Sequence, residues 1–106
     1  MGFLDFFRGP DMDAGVREYA GIPGAVLLDV RTPQEYSEGH VPGSRNVPLQ
    51  TLDRMSEKVA GRDTPVFVYC QSGGRSRQAA ALLGRMGYTR VRDIGGMSAY
   101  TGKVER

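Results

Sequence analysis

The chain has 106 residues and a formal net charge of +2, from 14 lysines and arginines against 12 aspartates and glutamates. This length fits one domain, so residues 1–106 are expected to form a single domain, with residues 1–10 as a candidate N-terminal extension. The small charge, without a basic run and interleaved aromatic residues, argues against nucleic-acid binding. No apolar stretch approaches the roughly 18 residues of a membrane helix, and the N-terminus lacks the basic region of a signal peptide.

Cysteine and histidine each occur once, as Cys70 and His40. One cysteine excludes an intrachain disulfide, and one cysteine with one histidine cannot build a structural zinc site, so neither a metal nor another cofactor is expected. A free thiol without an export signal predicts a reducing, cytoplasmic location. The apolar N-terminal side chains are expected to cover one edge of the core, with a membrane-surface or dimer contact as the alternative. They are Phe3, Leu4, Phe6 and Phe7.

The first half of the chain alternates between helix and strand signals. Asp11 to Ala20 reads as a helix with an aspartate cap. Ala25 to Val30 is a nearly continuous apolar run, as expected of a strand that is buried on both faces. Pro33 to Glu38 suits a short helix that Thr32 caps. Arg45 to Val47 predicts a very short strand.

The second half continues the alternation. Thr51 to Val59 predicts an amphipathic helix. Pro65 to Tyr69 is the clearest strand, and Arg75 to Met86 is the clearest helix. Arg90 to Ile94 predicts a last strand, after which two glycines are expected to turn the chain into a short helix around Met97 to Thr101.

This alternation predicts an α/β fold, with a central, mostly parallel sheet of four to five strands and helices on both faces. In such sheets, functional sites lie at the carboxyl ends of the strands. Cys70 follows one strand directly, and Asp29 to Arg31 ends another. The predicted fold therefore brings both positions to one edge of the sheet.

The segment from Cys70 to Ser76 lies between the clearest strand and the clearest helix. A thiol there meets backbone N–H groups of a short glycine-containing loop and the positive end of a helix, and both lower its pKa from about 8.5. The alternative is a small buried apolar residue. The pair Gly73 and Gly74, Arg75 and the helix start favour a nucleophile.

Four segments together resemble the single-domain rhodanese family of sulfurtransferases. In chain order they are Leu27 to Tyr36, Glu38 to Leu49, Cys70 to Ser76 and Ile94 to Tyr100. The resemblance implies that Cys70 takes a sulfane sulfur from thiosulfate or another donor and carries it as a persulfide. A thiol or cyanide then removes the sulfur, in a two-step covalent shuttle.

The residues of the loop suit that chemistry on physical grounds. Small residues let several N–H groups turn toward the sulfur, which makes a side-chain base unnecessary. A helix terminus contributes about 0.3–1 kcal/mol, and up to about 2 when partly buried. A pKa drop of two units requires about 2.7 kcal/mol, so the N–H groups of the loop must supply the rest.

Loop length argues against the nearest competitor. Phosphatases and arsenate reductases with a related fold carry a cysteine loop that is one residue longer, which accommodates a tetrahedral oxyanion. Here four residues separate Cys70 from Arg75, namely Gln71, Ser72, Gly73 and Gly74. The shorter loop suits a single sulfur atom better.

Three arginines are candidates for substrate binding. Arg75 either binds the anionic oxygens of a donor or locks the loop by pairing with Glu35 or Glu38, and the second role is favoured. Arg31 either forms the positive wall of the cleft or is a solvated surface residue, and the same two alternatives stay open for Arg45.

Three polar residues near the site have less direct roles. Ser76 either donates a hydrogen bond to a persulfide or satisfies N–H groups at the start of its helix. Asp29 is expected to organise neighbouring turns through backbone N–H bonds, and a catalytic part stays open. His40 lies between Gly39 and Pro42, which favours a backbone hydrogen bond that fixes this turn over acid–base chemistry.

Two positions depart from the family pattern. Gln71 stands where many thiosulfate-using members have a basic residue, which leaves room for a persulfide donor in place of thiosulfate. Tyr100 stands where the family usually has tryptophan. The expected partners are a small sulfur donor and a thiol acceptor, such as a thioredoxin-like or sulfur-carrier protein. The alternative function is a sulfur-carrier or protein-interaction module in a larger sulfur pathway.

Overall fold

The computed structural model describes residues 11–57 and 61–106, with side chains described up to residue 54 and again from residue 61. In these residues, helices and strands alternate along the chain. In chain order the elements are α1 (Met12–Ala20), β1 (Val26–Asp29), α2 (Pro33–Glu38), β2 (Arg45–Asn46), a 3-10 helix (Leu49–Glu57), β3 (Val66–Cys70), α3 (Gly74–Arg85), β4 (Val91–Gly96) and a second 3-10 helix (Met97–Ala99).

The strands form one sheet in the order β2-β1-β3-β4, and every neighbouring pair runs parallel. Parallel neighbours need a crossover connection, which the intervening helices supply. The predicted α/β class is confirmed, with four strands in the described residues. Because all four strands point the same way, their carboxyl ends lie at one edge of the sheet, where Asp29 ends β1 and Cys70 ends β3.

Side chains of β3 alternate between the two faces of the sheet, and each face has its own core. Val66, Val68 and Cys70 lie in the apolar cluster that contains the buried residues of α3. Phe67 and Tyr69 lie in the cluster that contains α1. All five are at most 1% exposed, as expected of a central parallel strand that is covered on both faces.

The start of α2 follows the signals read from the sequence. The Thr32 hydroxyl accepts the Glu35 N–H at 3.1 Å, and Glu35 Oε1 accepts the Thr32 N–H at 3.0 Å, which together form a capping box. Pro33 occupies the first turn, and Gly39 ends the helix. The capping box fixes the Glu35 carboxylate at the helix end that faces the sheet edge.

The helix predicted at Thr51 to Val59 was wrong in its start and its type. The structure has a 3-10 helix at Leu49–Glu57. Its first turn closes early, because Pro48 O accepts both the N–H of Thr51 (2.8 Å) and its hydroxyl (2.9 Å), and this i to i+3 spacing is that of a 3-10 turn. Leu52 is fully buried and belongs to the apolar face of this helix, whereas Val59 lies outside the described residues.

The end of β4 also differs from the prediction. The two glycines expected to form a turn continue the strand, and the helix that follows is shorter than Met97 to Thr101. Val68 pairs with Asp93 and Cys70 with Gly96, so β4 carries one extra residue, a β-bulge, between the two pairs. Gly95 has a φ of +99°, which only glycine adopts easily, and this conformation lets the strand continue past the bulge.

The expectations for Phe3, Leu4, Phe6 and Phe7 lie outside the described residues. Within the described ranges, none of the helices has both the length and the apolar character that crossing a membrane requires.

Candidate active site

The thiol of Cys70 lies at the carboxyl end of β3, where the chain leaves the sheet. The residue is 1% exposed, and three residues separate it from the first residue of α3. The backbone N–H groups of Gly73 and Ser76 donate to its Sγ, with N···S distances of 3.0 and 3.3 Å. Gly73 has a φ of +106°, a left-handed conformation that turns its N–H back toward the sulfur. The sulfur therefore lies among donors.

Two opposing effects set the acidity of this thiol. Burial raises the pKa of Cys70, because it disfavours the charged thiolate. Hydrogen bonds from Ser76 and from the backbone N–H groups of Gly73 and Ser72 lower the pKa by more, so it falls below its ordinary value. A thiolate held in this way is the nucleophilic form of cysteine.

Arg75 is tied to α2. Its two terminal nitrogens bind the two oxygens of Glu35 at 2.6 and 2.9 Å, in a bidentate pair. Of the two carboxylates considered as partners, the structure selects Glu35, which the capping box already holds. The hydrogen bonds from Arg75 are the main reason that the pKa of Glu35 falls to about 2. The pair links α3, and with it the Cys70 loop (residues 70–76), to α2.

Arg31 is buried, so the surface alternative for this residue was wrong. It is 4% exposed, and Asp29 is fully buried beside it. Nε of Arg31 lies 3.0 and 3.1 Å from the two Asp29 oxygens, and Nη2 lies 2.7 Å from Oδ2. Nη2 also donates to Gly39 O at 2.7 Å, and Nη1 donates to Gln71 Oε1 at 3.2 Å. Arg31 therefore lies in the wall of the site, with its donors already largely used.

Asp29 organises the turn after β1, as predicted. Its Oδ1 accepts the backbone N–H of Arg31 at 3.0 Å, in addition to the ion pair. Sequence reasoning missed Asn46, whose side-chain amide donates to Asp29 O and Arg31 O at 3.0 Å each. No motif signals this contact, because it depends on β2 pairing beside β1.

Of the other predicted site residues, Arg45 and His40 have no hydrogen bond to the thiol among those described, and Ser76 lies beneath the loop. Arg45 is exposed on β2, an edge strand that β1 separates from β3. His40 Nδ1 lies 2.8 Å from Tyr36 O, and the two rings stack with centroids 3.7 Å apart, which fits the role predicted for His40 in fixing its turn. Ser76 is fully buried under the loop.

Sequence reasoning also missed Asp93. Its Oδ1 accepts the hydroxyl of Ser76 at 2.7 Å and the N–H of Gly95 at 3.0 Å. The available signal was an acidic residue at the carboxyl end of a strand, just before two glycines. The contact itself depends on the register in which β4 pairs with β3.

A cleft of about 390 Å³ opens beside the loop. Its walls include Arg31, Glu35, Glu38, Gln71, Met97 and Val104. Val104 is 42% exposed, so the cleft offers apolar as well as polar surface. Over residues 11–57 and 61–106, no group of three His, Cys, Asp or Glu side chains is placed to hold a metal ion.

Fold and loop together define an α/β protein whose buried thiol is ringed by N–H donors. The model of the rhodanese-like domain family matches residues 15–103, and the chain belongs to this family.

Several of its relatives carry sulfur-transfer or sulfur-carrier names. The chain is 41% identical over 71 residues to the thiosulfate sulfurtransferase PspE of Escherichia coli, covering 66% of this chain and 68% of that protein. It is 34% identical over 80 residues to the putative sulfur carrier protein YrkF of Bacillus subtilis, covering 74% and 43%. Among solved structures, a rhodanese with anions from E. coli superposes with a TM-score of 0.73 at 35% identity, covering 77% of this chain and 98% of that one.

Proposed function

We propose that this protein is a sulfurtransferase that moves a sulfane sulfur from thiosulfate or a persulfide donor, through a persulfide on Cys70, to a thiol or cyanide. The observation that carries this proposal is the ring of N–H donors around Cys70 Sγ, which lowers the thiol pKa. Membership of the rhodanese-like family and the name of the relative PspE support the same reaction.

The first step forms the persulfide. The Cys70 thiolate attacks the outer sulfur of thiosulfate, a new S–S bond forms, and the old S–S bond breaks. Sulfite leaves with the bonding electron pair, and the negative charge stays on the terminal sulfur of the persulfide. The backbone N–H groups of the loop are placed to stabilise a sulfur anion at each stage, without a side-chain base.

The second step returns the enzyme to its starting state. A thiolate or cyanide attacks the terminal sulfur, and the S–S bond to Cys70 breaks. Cys70 leaves as the thiolate, which the same donors stabilise. With cyanide the product is thiocyanate, and with a thiol it is a new persulfide. The low thiol pKa therefore assists both attack and departure.

The state of the arginines bears on the choice of donor. Arg75 and Arg31, both proposed for substrate binding, already hold carboxylates in bidentate pairs. Arg45 lies on the edge strand. A thiosulfate dianion would therefore depend chiefly on the N–H groups of the loop, and a persulfide donor stays the equal candidate.

Intact mass spectrometry tests the proposal. Reduced protein is incubated with excess thiosulfate, or in parallel with a persulfide donor, and the donor is then removed. We expect a gain of one sulfur, about 32 Da, that cyanide removes as thiocyanate. Cys70→Ser should show no gain, because its hydroxyl is not a nucleophile at neutral pH. Loading of Cys70→Ser, or no loading of the wild type by either donor, would contradict the proposal.

A sulfur-carrier role is the second candidate, and two observations favour keeping it. The relative YrkF is named a putative sulfur carrier, and the cleft beside the loop exposes Val104 toward solvent. In this role the acceptor is a protein thiol, such as a thioredoxin-like or sulfur-carrier protein, and the proposed location is the cytoplasm, which keeps thiols reduced. Faster transfer to a reduced thioredoxin than to cyanide at equal concentration would favour it.

A further inference from the structure

Asp93 has no part in the two steps of sulfur transfer described above. In space, only Ser76 separates its carboxylate from the Cys70 sulfur. Its Oδ1 accepts the Ser76 hydroxyl at 2.7 Å, while the backbone N–H of the same serine donates to Cys70 Sγ at 3.3 Å. Ser76 is fully buried, and Asp93 is partly buried in the middle of β4. Asp93 is thus linked to Cys70 through a single serine.

The Ser76 hydroxyl has one proton and several acceptors around it. Gly73 O lies at 3.1 Å and Gly95 O at 3.3 Å, both longer than the contact to Asp93, and the Cys70 thiolate is a further acceptor for this side chain. A hydroxyl bound to a carboxylate makes a shorter and stronger hydrogen bond than one bound to a neutral carbonyl. While Cys70 is a neutral thiol, the shortest contact therefore directs the proton to Asp93 and holds the side chain of Ser76 against β4.

The pairing of β4 with β3 explains why Asp93 can reach this position. Asp93 pairs with Val68, whose side chain lies on the α3 face of the sheet, and the register then shifts by one residue before Gly96. The Asp93 carboxylate also accepts the N–H of Gly95, inside the bulge. This register places the Asp93 side chain on the same face as the first turn of α3, and the hydrogen bond to Gly95 ties it to the bulge.

We propose that Asp93 is a positioning residue for Cys70: by holding the Ser76 hydroxyl, it fixes the first turn of α3 and keeps the backbone N–H groups aimed at the sulfur. The proposal rests on the role proposed above for Cys70 as the nucleophile. The other charged groups near the sulfur are Arg75 at the start of α3 and, from β1, the Asp29–Arg31 pair. All three stay in place in the variants below.

Alkylation of Cys70 by iodoacetamide, followed against pH, tests the proposal. Asp93→Ala removes the charge and both hydrogen bonds, whereas Asp93→Asn removes the charge but keeps an oxygen that can accept both. The difference between the two variants therefore isolates the hydrogen bonds. We expect the midpoint of Asp93→Ala to lie about one pH unit above that of Asp93→Asn, which corresponds to about tenfold slower alkylation at pH values below both midpoints. Equal midpoints in two folded variants would overturn the proposal.

A second comparison assigns the effect to Ser76. Ser76→Ala removes the hydroxyl and keeps the backbone N–H. This single substitution should already raise the alkylation midpoint of Cys70 above that of the wild type. In the Ser76→Ala background, Asp93→Ala and Asp93→Asn should have the same midpoint, because the link they differ in is already gone. A difference that persists there would place the effect in the turn at Gly95 and overturn the proposal. If Asp93→Ala does not fold, Asp93→Ser replaces it, since its shorter hydroxyl side chain can accept from Gly95 but does not extend to Ser76.

Matched controls complete the design. Asp63 is exposed before β3, at the opposite end of the sheet from Cys70, so Asp63→Ala and Asp63→Asn should both titrate as the wild type does. Alkylation needs no sulfur donor. A wild-type protein that alkylates with a low midpoint but fails to load sulfur would contradict the proposed function and leave the role of Asp93 measurable.

Discussion

The Cys70 loop is supported on two sides by arginine–carboxylate pairs of similar geometry and very different surroundings. On the inner side, Arg31 and Asp29 are 4% and 0% exposed, and Arg31 reaches the loop through Gln71. On the outer side, Arg75 and Glu35 are 34% and 28% exposed, and they join the first turn of α3 to α2. Both pairs are bidentate, so burial is what distinguishes them.

The difference in burial predicts different roles for the two ion pairs. Two charges taken out of water must satisfy each other, and removing one leaves the other buried without compensation. A pair that water still reaches is screened, and losing it costs little. The buried Asp29–Arg31 pair should therefore be needed for folding. The exposed Glu35–Arg75 pair should chiefly hold the Cys70 loop in place against α2.

The largest effect is expected on the inner side. Asp29→Ala leaves the Arg31 guanidinium buried without its carboxylate, which should lower the free energy of unfolding by about 3–5 kcal/mol. Denaturant unfolding measures this change. The double variant Asp29→Leu with Arg31→Met is the control, because it removes both charges and should unfold later than Asp29→Ala alone. A loss below about 1 kcal/mol in Asp29→Ala would show that the pair does not differ from a surface pair.

A second test disturbs the Cys70 loop near Gln71, which Arg31 contacts, without removing a charged group. A Cβ at Gly96 would collide with the backbone oxygen of Gln71, so Gly96→Ala must displace the start of the loop. We expect a loss of about 1–3 kcal/mol and slower alkylation of Cys70. Gly84→Ala is the matched control, because nothing lies within 4 Å of a Cβ there and alanine favours the helix. If both variants behave alike, the close approach of β4 to the loop does not matter.

The smallest effect is expected on the outer side, and it depends on pH. Arg75 lowers the pKa of Glu35 to about 2, so the pair stabilises the folded state above the unfolded pKa of about 4.3 and is lost as the pH falls toward 2. Glu35→Gln should therefore be less stable than the wild type by about 0.2–1 kcal/mol at pH 7 and equally stable near pH 2. Urea unfolding at several pH values measures the gap. A gap that does not change with pH would contradict the ion pair as its cause.

Local signals in the sequence predicted the elements that local chemistry determines. Thr32, Pro33 and Gly39 bound α2 as expected, because capping and helix termination act over a few residues. The pairing of Arg75 with a glutamate of α2 was also accessible, because the α/β pattern brings the loop and α2 to the same edge of the sheet. The type of the helix at Leu49–Glu57 was not, since Pro48 closes its first turn through contacts that periodicity does not reveal.

Contacts that depend on strand register could not be predicted from the sequence. The burial of Arg31 requires Asp29, Gly39 and Gln71 to meet around it, and these residues come from separate parts of the chain. The link from Asp93 to the loop requires β4 to pair with β3 in the register that sets Asp93 beside Val68. A single-residue shift of register leaves little trace in composition or spacing.

Sulfur transfer depends most directly on the charge of Cys70 at neutral pH. A pH titration of the ultraviolet absorbance of its thiolate, with Cys70→Ser as the blank, measures that charge without any substrate. The donors at Gly73 and Ser76 predict a midpoint below the ordinary cysteine value of about 8.5. A midpoint at or above that value would show that burial outweighs the hydrogen bonds, and would contradict an activated nucleophile at this position.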